Sequence, residues 1–169
     1  MRWSRALVLL VLCAVAVATG WLWNHHLATT TPAADGVDVY YTKADGTTLV
    51  PWHVSLGPAR DRPSVAFYAA TQAVTGPPVG IDAVRFPSGT RVRAVDVQGS
   101  TADVDLSKEV AKSAEGGFAE SAEFKALVWT LTQPALGITS VKVRINGERV
   151  ATLPGGHLSL DEPLSRSSF

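Results

Sequence analysis

Residues 119–147, AESAEFKALVWTLTQPALGITSVKVRING, contain a helix, its stop signal, a strand and a turn in one run. Phe124, Leu127, Val128 and Leu131 recur at i, i+3, i+4 and i+7, and this single apolar stripe predicts a helix over 119–132. Pro134 and Gly137 stop it. Val141, Val143 and Ile145 then alternate with Lys142 and Arg144, the period of a half-buried strand. Asn146-Gly147 is a two-residue hairpin signal leading into a further strand over 149–153.

The same period runs through the residues upstream. Over 101–106, Ala102, Val104 and Leu106 face one way and Asp103 and Asp105 the other, and Gly99-Ser100 joins this strand to one over 91–98. Arg91, Arg93, Lys142 and Arg144 alternate with apolar residues and read as the solvated face of two strands. With no partner acid in sight, the Asp103/Asp105 pair is expected to be solvated rather than catalytic. An alanine-rich helix is predicted over 62–74, with Asp61 or Arg62 at its start, Pro63 in the first turn and Gly76-Pro77-Pro78 at its end. Before it, Val37, Val39 and Tyr41 alternate with Asp38, Tyr40 and Thr42, and Asp45-Gly46 turns the chain into a second strand over 48–54. The order ββαββαββ predicts an α+β domain: a mainly antiparallel sheet with two helices packed on one face, around one core.

The N-terminal residues differ in kind. Arg2 and Arg5 precede Ala6–Trp23, an uncharged run just long enough to span a bilayer, so 1–23 reads as a signal anchor or signal peptide and the remainder as extracytoplasmic. Trp21 and Trp23 fit an interfacial belt for a single-pass membrane helix, and Ala16-Val17-Ala18 fits cleavage near Ala18 with secretion. Cys13 lies inside the run, and Leu12 before it is too large for lipoprotein processing, so an inert buried thiol is expected. Beyond it there is no cysteine, which excludes disulfides from the outer domain. Residues 24–36 are small and polar and read as a flexible linker, with His25 and His26 solvated in it. The domain is expected over 37–166, with 167–169 as a tail.

Fifteen Lys and Arg balance fifteen Asp and Glu, so bulk charge does not favour nucleic acid. No glycine-rich nucleotide loop, HExxH, GxSxG or paired-cysteine motif occurs. His53 and His157 lack a local Asp or Cys that would orient them, and Glu115, Glu120 and Glu123 suit the start of a helix on dipole grounds alone. No catalytic, cofactor-binding or metal-binding residue is therefore assigned. Trp129, beside the helical stripe, is expected to be partly core, and Trp52 is the better candidate for a surface contact. Pro163-Leu164-Ser165-Arg166 reads as a clasp that lays Leu164 on the core while Arg166 pairs with an acid, in preference to a partner-recognition element.

Several segments together resemble the GerMN domain of sporulation and germination proteins. They are Val37–Tyr41 (VDVYY), Ala73–Pro77 (AVTGP), Phe86–Thr90 (FPSGT), Thr101–Ser107 (TADVDLS), Ala126–Thr132 (ALVWTLT), Val141–Gly147 (VKVRING) and Glu162–Arg166 (EPLSR). The ordered set, from about residue 36 to 166, carries the resemblance. It implies a non-enzymatic module of the bacterial envelope, similar in fold to ring-building motifs, with no catalytic residues to carry over. One copy stands here where the spore germination protein that names the family has a tandem pair, and single copies also occur in bacteria that form no spores. The expected function is an interaction or assembly module that contacts envelope proteins or itself through sheet edges. The alternative is a peptidoglycan-binding or peptidoglycan-processing domain using Trp52, His53, Glu115 and Glu120.

Overall fold

A computed structural model describes residues 36–112, 117–154 and 156–169. The apolar run at 6–23, the linker at 24–35 and Glu115 lie outside the described residues. Among the described residues no helix is long and apolar enough to cross a membrane.

Strand β1 (Gly36–Thr42) pairs antiparallel with β2 (Leu49–Ser55), and the alternation of Val37, Val39 and Tyr41 puts those three in the core at 3 % exposure or less. Asp45 closes the connection by accepting from the N–H groups of Thr47 and Thr48, both at 2.8 Å. Helix α1 (Arg62–Thr75) starts where the Asp61 carboxylate accepts the Ser64 N–H at 3.0 Å, carries a proline in its first turn, and ends at Gly76 with φ 95°. Its small side chains, Ala66, Ala69, Ala70 and Ala73, are buried and let the backbone lie close to its neighbours.

Strands β3 (Val92–Gln98) and β4 (Thr101–Leu106) form the expected hairpin, with a bulge at Arg93-Ala94 opposite Asp105. Helix α2 (Gly117–Leu131) then returns the chain to β5 (Ser140–Ile145), which lies parallel to β4. Phe124, Leu127, Val128 and Leu131 are all fully buried, as the stripe predicts. The helices pack on each other, α1 also against β1 and β3, α2 against β1 and β5.

The α+β class and the two helices stand, but the single sheet gives way to two, β1-β2 and β3-β4-β5. The reason lies on the free side of β1. Thr130 on α2 accepts the Tyr40 N–H at 2.9 Å, and Gln133 accepts the Asp38 N–H (3.4 Å) and donates to its carbonyl (3.0 Å). Side chains from the end of α2 and the residue just past it thus occupy the edge where another strand would dock.

The last expected strand is also absent. Asn146 (φ 54°) and Gly147 (φ 88°) do turn the chain, but pairing stops at one bridge between Ile145 and Glu148. Leu164 takes the other end of that edge, exchanging N–H to carbonyl bonds of 2.8 and 2.7 Å with Val141. Leu153 turns inward instead and is buried.

Candidate functional site

Two surfaces and one buried cluster hold the chemistry that the sequence singles out. On β2, Trp52 lies opposite Val39 and so on the core-side face, yet it is 45 % exposed, with no strand hydrogen-bonded beyond it among the described residues. Since the Tyr40 N–H points to Thr130, the Tyr40/Pro51 pair is a non-hydrogen-bonded one, and the Pro51 nitrogen faces the outer edge. Proline there breaks no ladder bond and blunts the edge without closing it. Cross-strand register also brings Asp38 to His53, 2.9 Å from Nδ1, which corrects the expectation that no acid orients this histidine. Both side chains are about half exposed, so the pair adds little to stability.

The outer face of β3-β4-β5 carries the alternating charges. Asp103 accepts from Arg144 Nε at 2.7 Å and lies 3.9 Å from Arg149, while Asp105 lies 3.2 Å from Arg93 and accepts the Gly147 N–H at 2.8 Å. The two acids are therefore paired rather than solvated, and Asp105 is only 6 % exposed. The hydrogen bond and charge of Asp103 hold the Arg144 guanidinium above its usual range. Lys142 on β5 shares this face by register and enters no ion pair among the described residues.

Glu120 stands in the first turn of α2 as expected, but neither it nor Glu123 faces water. They are 1 % and 3 % exposed, one turn apart on the buried side of α2. Glu120 Oε2 accepts the His157 N–H at 2.8 Å and the Leu158 N–H at 3.4 Å, so this carboxylate pins the 156–158 loop, while its Oε1 has no hydrogen-bond partner among the described residues. Gly156 fits because a Cβ there would stand 2.5 Å from Glu120 Oε1. The sequence carries no signal for this inward turn.

The tail forms the expected clasp, with Leu164 buried, but Arg166 meets a helix end rather than an acid. Its guanidinium donates to the Thr132 hydroxyl (3.0 Å) and carbonyl (3.2 Å) and lies over the half-buried Trp129, whose ring also meets Lys125 and Phe169. Two of the surface cavities lie beside the loops that neighbour these groups. One of about 580 Å³ is lined by Lys43, Asp45, Val50, Ile81 and Asp82 among others, and one of about 350 Å³ by Thr132, Ile138, Thr139 and Ser165 to Ser167. Neither is lined by Trp52, His53 or Glu120, so they do not gather the groups of the glycan reading. No group of three or more potential metal-ligating side chains occurs among the described residues.

Two small sheets, two mutually packed helices and a clasped tail define a compact α+β module. The family model for sporulation and spore germination, Germane, matches residues 38–151, and the chain belongs to that family. The solved tandem GerMN domains of the sporulation protein GerM from Bacillus subtilis share 28 % identity with it at a TM-score of 0.61, over 79 % of this chain and 47 % of that one. This chain thus spans about half of the tandem structure. The first GerMN domain of the same protein shares 29 % identity at a TM-score of 0.59, over 78 % of this chain and 98 % of that one. A putative lipoprotein from Clostridium perfringens, at 18 % identity and a TM-score of 0.55 over 78 % of this chain and 87 % of that one, is similar in fold. No curated protein sequence matches significantly.

Proposed function

We propose that this chain is a non-enzymatic interaction and assembly module of the bacterial envelope, held on the outer side of the cytoplasmic membrane and linked to sporulation or germination. Membership of the Germane family supports the biological setting. The observation that carries the mode of action is the outer edge of β2: a strand paired on one side only among the described residues, with Trp52 45 % exposed beside it. An edge of this kind offers backbone groups to a partner strand, while an exposed tryptophan contributes a large apolar contact at low entropic cost. The uncharged run from Ala6 to Trp23 supports the membrane setting by its length and lack of ionised groups.

The test is crosslinking of the full-length protein in its native cells, with mass spectrometry of the captured species and of the N-terminal peptide. A defined set of envelope proteins, or adducts between copies of this chain, is the expected result. Recovery of the uncrosslinked chain alone, or of peptidoglycan fragments without protein, would contradict the assembly reading.

A further inference from the structure

The outer face of β3-β4-β5 is layered by charge. Two of its acids lie low, the side chains of Asp105 and Asp103 being 8 % and 24 % exposed, while Asp96 on β3, opposite Asp103, is exposed. Its arginines lie above them, with Arg93 at 45 %, Arg144 at 31 % and Arg149 at 57 %. Arg91 is exposed at the head of β3, where its backbone pairs with Ser107, and Lys142 stands on β5 opposite Asp103. A guanidinium has five N–H donors, and the ion pairs engage one nitrogen of each arginine, so most of the donors face outward. A chain that is neutral as a whole therefore presents one face on which five cationic side chains outnumber the exposed Asp96 and two further acids sit in the floor.

From this layering we infer that the β3-β4-β5 face docks an acidic segment of a partner protein. The inference rests on the assembly reading and names the partner's chemistry and the face that meets it. Carboxylates match the planar donor forks, and β3 and β5 stand two strand spacings, about 10 Å, apart, within reach of acids spread along one peptide or one surface. The aspartates in the floor and Asp96 on β3 oppose a densely charged phosphate polymer, whereas a protein segment can place its own polar or basic groups over them. Burial fixes the geometry in advance: Asp105, held by the Gly147 N–H, orients Arg93, and Asp103 orients Arg144.

The test uses the purified full-length chain in nanodiscs, with poly-L-glutamate as the probe and polyphosphate and poly-L-lysine as comparators. The double variant Arg91→Glu/Lys142→Glu leaves both floor pairs, Arg93–Asp105 and Arg144–Asp103, in place, and its melting curve checks that it folds. Poly-L-glutamate is expected to bind the native chain and to bind the double variant roughly tenfold more weakly. The same charge reversal at Lys43 and Lys112 is expected to leave binding near the native level. Equal loss in that control, failure of poly-L-glutamate to bind, or preferential binding of polyphosphate would overturn the inference. In-cell crosslinking of the same variants separates the two levels. A partner captured equally by native and Arg91→Glu/Lys142→Glu chains removes this face and keeps the assembly reading, whereas no partner on the native chain removes that reading itself.

Discussion

The two sheets answer the same problem, a strand with an unpaired edge, in different ways. In β1-β2 the inner edge is closed by Thr130 of α2 and by Gln133 just past its end, and among the described residues the outer edge is left open with Pro51 and Trp52 on it. In β3-β4-β5 the chain's own C-terminal segment covers β5 at Val141 and the Asn146-Gly147 turn covers it at Ile145. Ionic contacts divide the same way. Asp38–His53 on the first sheet is 46 % and 60 % exposed, while Asp105 beneath Arg93 is 8 % exposed. The two aspartate contacts thus carry different weight, because solvent screens the first and only partly reaches the second, and because Asp105 faces a permanently charged guanidinium.

Substitutions can break that contrast in graded steps. Leu106→Ala, in the central strand of the second sheet and fully buried, is expected to lower stability by about 2 to 5 kcal/mol, measured by urea unfolding of the full chain in detergent. Thr130→Val keeps the shape of the helix surface but leaves the Tyr40 N–H of β1 without its acceptor, for a loss of about 1 to 3 kcal/mol and faster amide exchange at Tyr40. Asp105→Asn should cost about 1 kcal/mol, and Asp38→Asn less than about 0.5 kcal/mol, the difference reading burial together with the Arg93 and Gly147 contacts of Asp105. Equal losses would show that the two pairs are screened alike.

The smallest effect is one of pH. The hydroxyl of Thr48 holds Asp45 well below the usual carboxylate range, and the Ser64 N–H lowers Asp61. A carboxylate lowered in the folded state stabilises above its unfolded value, about 4, and that contribution disappears as pH falls through the lowered value. The urea midpoint should therefore fall as pH drops below about 4, and less so in Asp45→Asn.

Much of this fold was legible because it rests on local periods. The stripe of α2, the alternation in β1, β3, β4 and β5, and the stop at Gly76 all appear in the structure within two residues of where the pattern puts them. What escaped was tertiary. Polar residues at the end of the α2 stripe, Thr130 and Gln133, close β1 and divide the sheet, and only the packing of α2 on β1 shows that. The strand after Asn146-Gly147 failed because Leu164, distant in sequence, competes for the same edge. Trp52 as a surface residue followed from the sequence, whereas the burial of Glu120 did not, because its partners are backbone N–H groups of the 157–158 loop. The pairing of Asp103 and Asp105 with arginines on β3 and β5 likewise required the strand register.

The central claim is that this domain acts by touching other proteins through its folded surface. The most direct measurement is site-specific photo-crosslinking in native cells, with the photoreactive residue placed in the full-length chain at position 52, at 142, or at 75 on the exposed end of α1. The account predicts protein adducts from 52 or 142, carrying an acid-rich partner peptide in the case of 142, and none from 75. Adducts of equal yield from all three positions, or none from either 52 or 142, would contradict it.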